Sequence, residues 1–188
     1  MASSHHSSPN RVSLRQWQDG DLEPFAALGR DAEVMRYFPA PLTREQSDTV
    51  ALRQRDLIDQ RGWGFWVVDV DGVFAGFTGL AIPNFDAPFN PCVEIGWRLA
   101  RQFWGQGIAY RAALLALDYA FTTLKLTEVV SFTAEVNTRS RRLMERLGFT
   151  RDPQGDFMHP KIPKGHELRS HVLYRKQVNC TFGSIVGG

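Results

Sequence analysis

Between Val93 and Ala116 the chain changes its hydrophobic period in mid-course, and this change limits what the rest can build. Val93-Glu94-Ile95-Gly96-Trp97-Arg98-Leu99 reads as a strand, Trp104-Gly105-Gln106-Gly107 as a short loop, and the alanine- and leucine-rich run from Ile108 as a long helix. A loop that enters a helix through two glycines lets successive backbone N–H groups converge at the helix N-terminus, which makes an anion cradle. Gly105 and Gly107 carry no Cβ, so both accept positive φ and let phosphate oxygens approach the main chain. A pyrophosphate is the expected guest.

Two familiar phosphate loops fit poorly. The P-loop places Lys and then Ser or Thr after its last glycine, and neither glycine here is followed in that way. The dinucleotide fingerprint needs a third small residue where Tyr110 stands, and no ribose-binding acid closes a βαβ unit at the right distance.

Trp104-Gly105-Gln106-Gly107-Ile108-Ala109 resembles instead the pyrophosphate motif of the GNAT superfamily of acyl-CoA-dependent N-acyltransferases, usually Gln/Arg-x-x-Gly-x-Gly/Ala. Gly107 and Ala109 match, while Trp104 takes the first place. Further on, Asn137-Thr138-Arg139-Ser140 opens a helix that closes in Gly148-Phe149, as in the same superfamily. With Glu94-Ile95-Gly96-Trp97, these motifs are most similar to the branch that includes the ribosomal-protein alanine N-acetyltransferases. The resemblance spans Val12 to Lys176. It implies an α+β fold of the GNAT type, a mixed, mostly antiparallel sheet with its central strands splayed apart and helices on both faces. One acyl-CoA N-acyltransferase domain is expected over residues 11–176, with residues 1–10 and 177–188 as tails.

Length and composition agree with one domain. The 188 residues suffice for a single substantial core, and 43% hydrophobic with 22% charged residues are ordinary globular values. A net charge of +2, with the basic residues spread along the chain, leaves no nucleic-acid footprint. Cys92 and Cys180 read as reduced thiols of a cytoplasmic protein, although the sequence leaves a disulfide between them open. No apolar run spans a bilayer and Met1 to Asn10 is polar, so neither membrane association nor a signal peptide is expected.

In chain order, Val12 to Trp17 alternates as a first strand, and Asp21 is placed to cap a helix containing Pro24, Phe25, Leu28 and Gly29. Thr43-x-x-Gln46 is a capping box for a helix that runs to Gly62. Gly64 to Asp69 and Val73 to Leu80 are strands joined at Asp71-Gly72, a hairpin signal. Helix Ile108 to Thr122 carries leucines on more than one side and is expected to pack over most of its surface. Glu128 to Ala134 and His171 to Arg175 read as strands, with Asn137 as the N-cap and Gly148 as the C-terminal stop of the helix between them. Asn179 to Gly188 is small, polar and glycine-rich, expected to be poorly ordered or to dock on a neighbouring chain, an arrangement compatible with a homodimer.

The resemblance also assigns roles. Acetyl-CoA would be the cosubstrate, held by the main chain of Trp97, Arg98 and Leu99, by the loop and helix start from Trp104 through Gly105, Gln106, Gly107 and Ile108 to Ala109, and by Asn137 and Ser140. An attacking amine must be neutral, yet an α-amino group has a pKa of about 8 and a lysine of about 10.4, so a base is needed. Glu94 is the expected base, with an ion pair to Arg98 or another cation at the sheet surface as the other reading of the same residue. Ser140 lies near the departing sulfur in such enzymes. Many relatives carry a Tyr four residues later as acid for the thiolate, and Met144 stands there.

Asp156, His159, His166 and His171, interrupted by Pro160 and Pro163, match no compact zinc spacing, so no metal is expected and this loop is read as shaping the acceptor side. Tyr37, Phe38, Phe85 and Phe89 are either further walls of that cleft or plain core. The expected reaction is acetyl transfer to a primary amine, either a peptide or protein N-terminus or a small amine, by direct attack in a ternary complex. A non-catalytic acyl-CoA sensor and a nucleotide-binding domain are the competing classes.

Overall fold

The computed structural model describes residues 11–178. Cys180, residues 1–10 and 179–188 of the two expected tails, and the docking expected of the second lie outside them, while Gln177, expected in the second tail, ends the last strand. Eight strands, β1 (Val12–Arg15), β2 (Phe65–Val70), β3 (Val73–Ala81), β4 (Glu94–Leu99), β5 (Glu128–Ala134), β6 (Thr150–Arg151), β7 (Phe157–Met158) and β8 (Ser170–Gln177), form one sheet. The order is β1-β2-β3-β4-β5-β8-β6, with β7 also on β8, and every pairing is antiparallel except β4 with β5. The helices are α1 (Leu22–Arg30), α2 (Arg44–Arg61), α3 (Ile108–Asp118), extended by a π-type turn over Tyr119–Thr123, and α4 (Thr138–Arg146).

Local chemistry accounts for most of these boundaries. Asp71 at φ 52° and Gly72 at φ 84° make the two-residue turn that a tightly twisted β2–β3 hairpin demands. Thr43 accepts the Gln46 N–H at 3.1 Å while the Gln46 side chain accepts the Thr43 N–H at 2.9 Å, and Gly62, at φ 81°, ends α2. Asp21 does not cap α1. Its carboxylate takes both terminal nitrogens of Arg15 at 2.7 and 2.8 Å and the Gln18 N–H at 2.7 Å, a buried ion pair that outcompetes a helix cap.

The expected packing of α3 requires correction. Ala112, Ala113, Ala116 and Ala120 are fully buried against the sheet, whereas Leu114 and Leu115 are 42% and 45% exposed. Small side chains bring the helix axis close to the strands, so one face of alanines with Ile108 and Leu117 suffices, and Leu114 and Leu115 turn to water. On the opposite face α1 and α2 seat Phe25, Leu28, Ala51 and Ile58 against Trp17 and Val67.

The feature that positions the site is the join between β4 and β5. These parallel strands share one bridge, Glu94 with Val130, where the Val130 N–H donates to the Val93 carbonyl at 2.9 Å. Beyond it they diverge. The Ser131 hydroxyl, fully buried, donates to the Ile95 carbonyl at 3.0 Å and closes the vertex of the fork. Removing that hydroxyl by Ser131→Ala should cost about 1 kcal/mol of stability, read as a lower urea midpoint at unchanged m-value.

Candidate active site

The fork opens into a cavity of about 920 Å³ that runs from the α3 N-terminus, between β4 and β5, to the segment joining α1 and α2. At one end Gly105 and Gly107 hold φ of 74° and 72°, and a Cβ built on either meets no atom within 4 Å. Their openness therefore faces space that a ligand can use, at the N-terminus of α3 where unpaired N–H groups point outward. Arg139, Arg142 and Arg146 of α4 line the same end, and Arg139 stacks on Trp104 at 4.2 Å. The donor set fits a diphosphate.

Trp104, Gly105, Gly107, Ile108 and Ala109 line the cavity, while the Gln106 side chain folds back to donate to the Gln102 carbonyl at 2.6 Å. Along β4 the backbone alternates. Ala100 donates to Ala75 of β3, so even-numbered residues turn their main chain toward β3 and odd-numbered ones toward the fork. Of the odd residues, Ile95 is closed by Ser131, and the Leu99 carbonyl accepts the Trp104 indole N–H at 2.8 Å. Trp97 is left with its main-chain amide facing the gap. Arg98 contributes its side chain to the cavity, with its main chain in the β3 ladder.

Glu94 sits beside the vertex. Its carboxyl group makes no hydrogen bond or ion pair with another described residue, so the Arg98 pairing is not formed, and burial alone pushes its pKa up to about 8. Across the fork, Asn137 caps α4 by accepting the Ser140 N–H at 3.2 Å and donates its amide to the Thr133 hydroxyl at 2.9 Å, which pins the helix start to β5. Ser140 is half-buried and lines the cavity. Met144 does not line it. Its side chain is 1% exposed in the core with Ile95 and Val129, so nothing at that position reaches the gap.

The far wall contains residues whose roles sequence left open. His159 and His171 pack at 4.8 Å with their rings tilted by 46°, beside Phe132 and Phe157, and both line the cavity with Lys161, Tyr37 and Phe38. Burial, with help from His159, lowers the His171 pKa to about 4, so that ring is neutral at physiological pH. Phe85 and Phe89 stand behind this wall, packed on Phe132 and Phe157. Asp156 is paired with Arg151, and His166 Nδ1 accepts the Leu168 N–H. Among the described residues no three ligating side chains gather to hold a metal.

Comparison with known proteins agrees with this geometry. The model of the acetyltransferase (GNAT) domain family matches residues 11–150. FsC-acetyl coenzyme A-N(2)-transacetylase of Aspergillus fumigatus is 34% identical over 130 residues, which are 65% of this chain and 55% of that protein. Spermidine N(1)-acetyltransferase of Escherichia coli is 31% identical over 155 residues, 81% of this chain and 78% of that one. The crystal structure of a GNAT-family acetyltransferase from Bacillus anthracis superposes with a TM-score of 0.73 at 24% identity, over 90% of this chain and 96% of that chain. The chain belongs to the GNAT family, whose members are acetyl-CoA-dependent N-acetyltransferases. It is an enzyme of that class.

Two outcomes follow from the site. Gly107→Val has room for its Cβ but is strained at φ 72°, so it should lower the melting temperature and, by filling the cradle, weaken CoA binding at least about tenfold, measured by calorimetric titration of the folded variant. The raised pKa of Glu94 means that the folded state holds its proton more tightly than the unfolded chain, where a Glu titrates near about 4.3. Its contribution is complete below that pH and is lost as pH rises through about 8. Glu94→Gln should therefore gain stability relative to wild type between those limits, read from denaturant midpoints at several pH values.

Proposed function

We propose that the protein transfers the acetyl group of acetyl-CoA to a primary amine by direct attack in a ternary complex. The observation that carries this reading is the single cavity joining the glycine cradle, the open edge of β4 at Trp97, and Glu94. Acetyl-CoA supplies the activated acyl group and a thiolate that leaves readily. The protein's own residues supply position and proton traffic. The α3 N-terminus and the α4 arginines grip the diphosphate, and the Trp97 N–H faces the gap, where a donor stabilises negative charge developing on the thioester oxygen.

Glu94, with its proton affinity raised to near that of an α-amine, takes the proton that the amine must lose. Ser140, whose hydroxyl bonds no other described residue, is the donor available to the sulfur now that Met144 is buried. The acceptor proposed from the branch that the motifs resemble is a peptide or protein N-terminus. The name of the Escherichia coli relative keeps a small amine as the second acceptor class. A cytoplasmic location accords with these substrates.

The ratio of wild-type to Glu94→Gln kcat/KM should rise about tenfold per pH unit up to about pH 8 and then level, because only the wild type gains a base over that interval. A ratio independent of pH removes Glu94 from the mechanism.

A further inference from the structure

Glu94 and Arg98 project from the same face of β4, with Gly96 between them under the Phe65 ring. That face is opposite the one on which Ile95, Trp97 and Leu99 meet the α3 side. It looks instead toward the segment between α1 and α2, where Phe38 covers the Arg98 guanidinium at 3.8 Å and Phe77 flanks it at 5.3 Å. The guanidinium makes no hydrogen bond or ion pair within the described protein, and its Nε is buried without a partner. A half-buried cation with one nitrogen shut off from water and no anion beside it carries a cost, and burial lowers its pKa to about 10.

The surroundings sharpen the point. Lys161 lines the same half of the cavity, tied by its ammonium to the Asn84 side chain, and the carboxylates lining it are Glu94 and the exposed Glu33. The cosubstrate's phosphates have their own cations on α4 at the other end. Arg98 is thus left over for the other substrate, and the anion it lacks is one that this substrate brings.

Resting on the acetyltransferase reading above, we propose that the acceptor is a primary amine bearing a carboxylate several bonds from its nitrogen, with the carboxylate on Arg98 and the amine at Glu94. Four residues of strand separate the two Cα atoms by about 13 Å, too far for the adjacent groups of glycine and suited to a peptide with an acidic residue near its N-terminus or to a lysine. A polyamine would bring a second ammonium against Arg98 and Lys161, and like charges disfavour it.

The test uses the purified full-length chain with acetyl-CoA, following CoA release and product mass, and compares the dipeptide Ala-Asp with Ala-Asn amide, L-lysine with lysinamide, and spermidine. The peptide and free amino acid arms separate the two sources of the carboxylate. The acid is expected to exceed its amide at least about tenfold in kcat/KM in one pair or both, and to exceed spermidine. Arg98→Gln should bring the acid-to-amide ratio toward one, and Arg98→Lys should restore part of it, with a CoA-induced rise in melting temperature confirming that each variant folds. Equal rates for acid and amide, a ratio unmoved by Arg98→Gln, or a rise in the acetyl-CoA KM in step with that of the acceptor would overturn the assignment. Turnover of spermidine alone overturns the carboxylate and leaves acetyl transfer standing. A CoA-stabilised protein that acetylates no amine in the panel sinks both.

Discussion

One parallel bridge, Glu94 with Val130, followed by divergence, is the constraint on which the rest of the molecule depends. A sheet normally satisfies every interior main-chain group across the next strand. Here β4 and β5 stop doing so in the middle of an eight-stranded sheet, and the groups freed at the fork are dealt with one at a time. Ser131 takes the Ile95 carbonyl, the Trp104 indole takes the Leu99 carbonyl, and Trp97 between them keeps a main-chain amide for a ligand. The fork is held open because each branch is bound elsewhere: β4 to β3 over six residue pairs, β5 to β8 over seven. Its opening is a property of the sheet's two halves, so a ligand finds the slot already formed.

Charge is handled differently inside and outside this slot. Away from it, several cations have carboxylates at hydrogen-bond distance, as in Arg15 with Asp21 and Asp69, or Arg175 with Glu128 and Asp152. Within it Glu94 and Arg98 stand without partners although they share a strand face, since four residues of extended chain hold them apart where a helix would have brought them together. The Gly96 position between them carries no side chain that could bridge the two. Polar groups withdrawn from water without a protein partner cost stability, so the pair is a burden on the fold that a structural role alone would not explain.

What could be read from sequence was what local chemistry decides. The Asp71-Gly72 hairpin, the Thr43 capping box and the Asn137 cap each involve groups within a few residues, and each stands as expected. The fork itself was reached by resemblance, because divergence of two strands 36 residues apart leaves no local pattern. Strands β6 and β7, two residues each, exist only because β8 offers them an edge, and no periodicity marks so short a run. Trp97, Arg98 and Leu99 are contiguous in sequence, but strand alternation turns the Arg98 main chain toward β3 and its guanidinium toward Phe38 and Phe77, a contact that no local motif marks.

On α4 the cavity is lined by Ser140, while the core is filled by Met144. A hydroxyl at that position would have to leave the core contacts with Ile95 and Val129, so supplying a proton there would disturb the packing beneath β4. Ser140 lies one turn earlier, where the helix emerges from the core, and its backbone is fixed by Asn137, itself anchored to Thr133 of β5. The hydroxyl is therefore placed by a chain of two hydrogen bonds reaching back to one arm of the fork. A change in the angle between β4 and β5 would move Ser140 and the open edge at Trp97 relative to each other, so the spacing of these two cavity-lining groups is set by the vertex at Ser131.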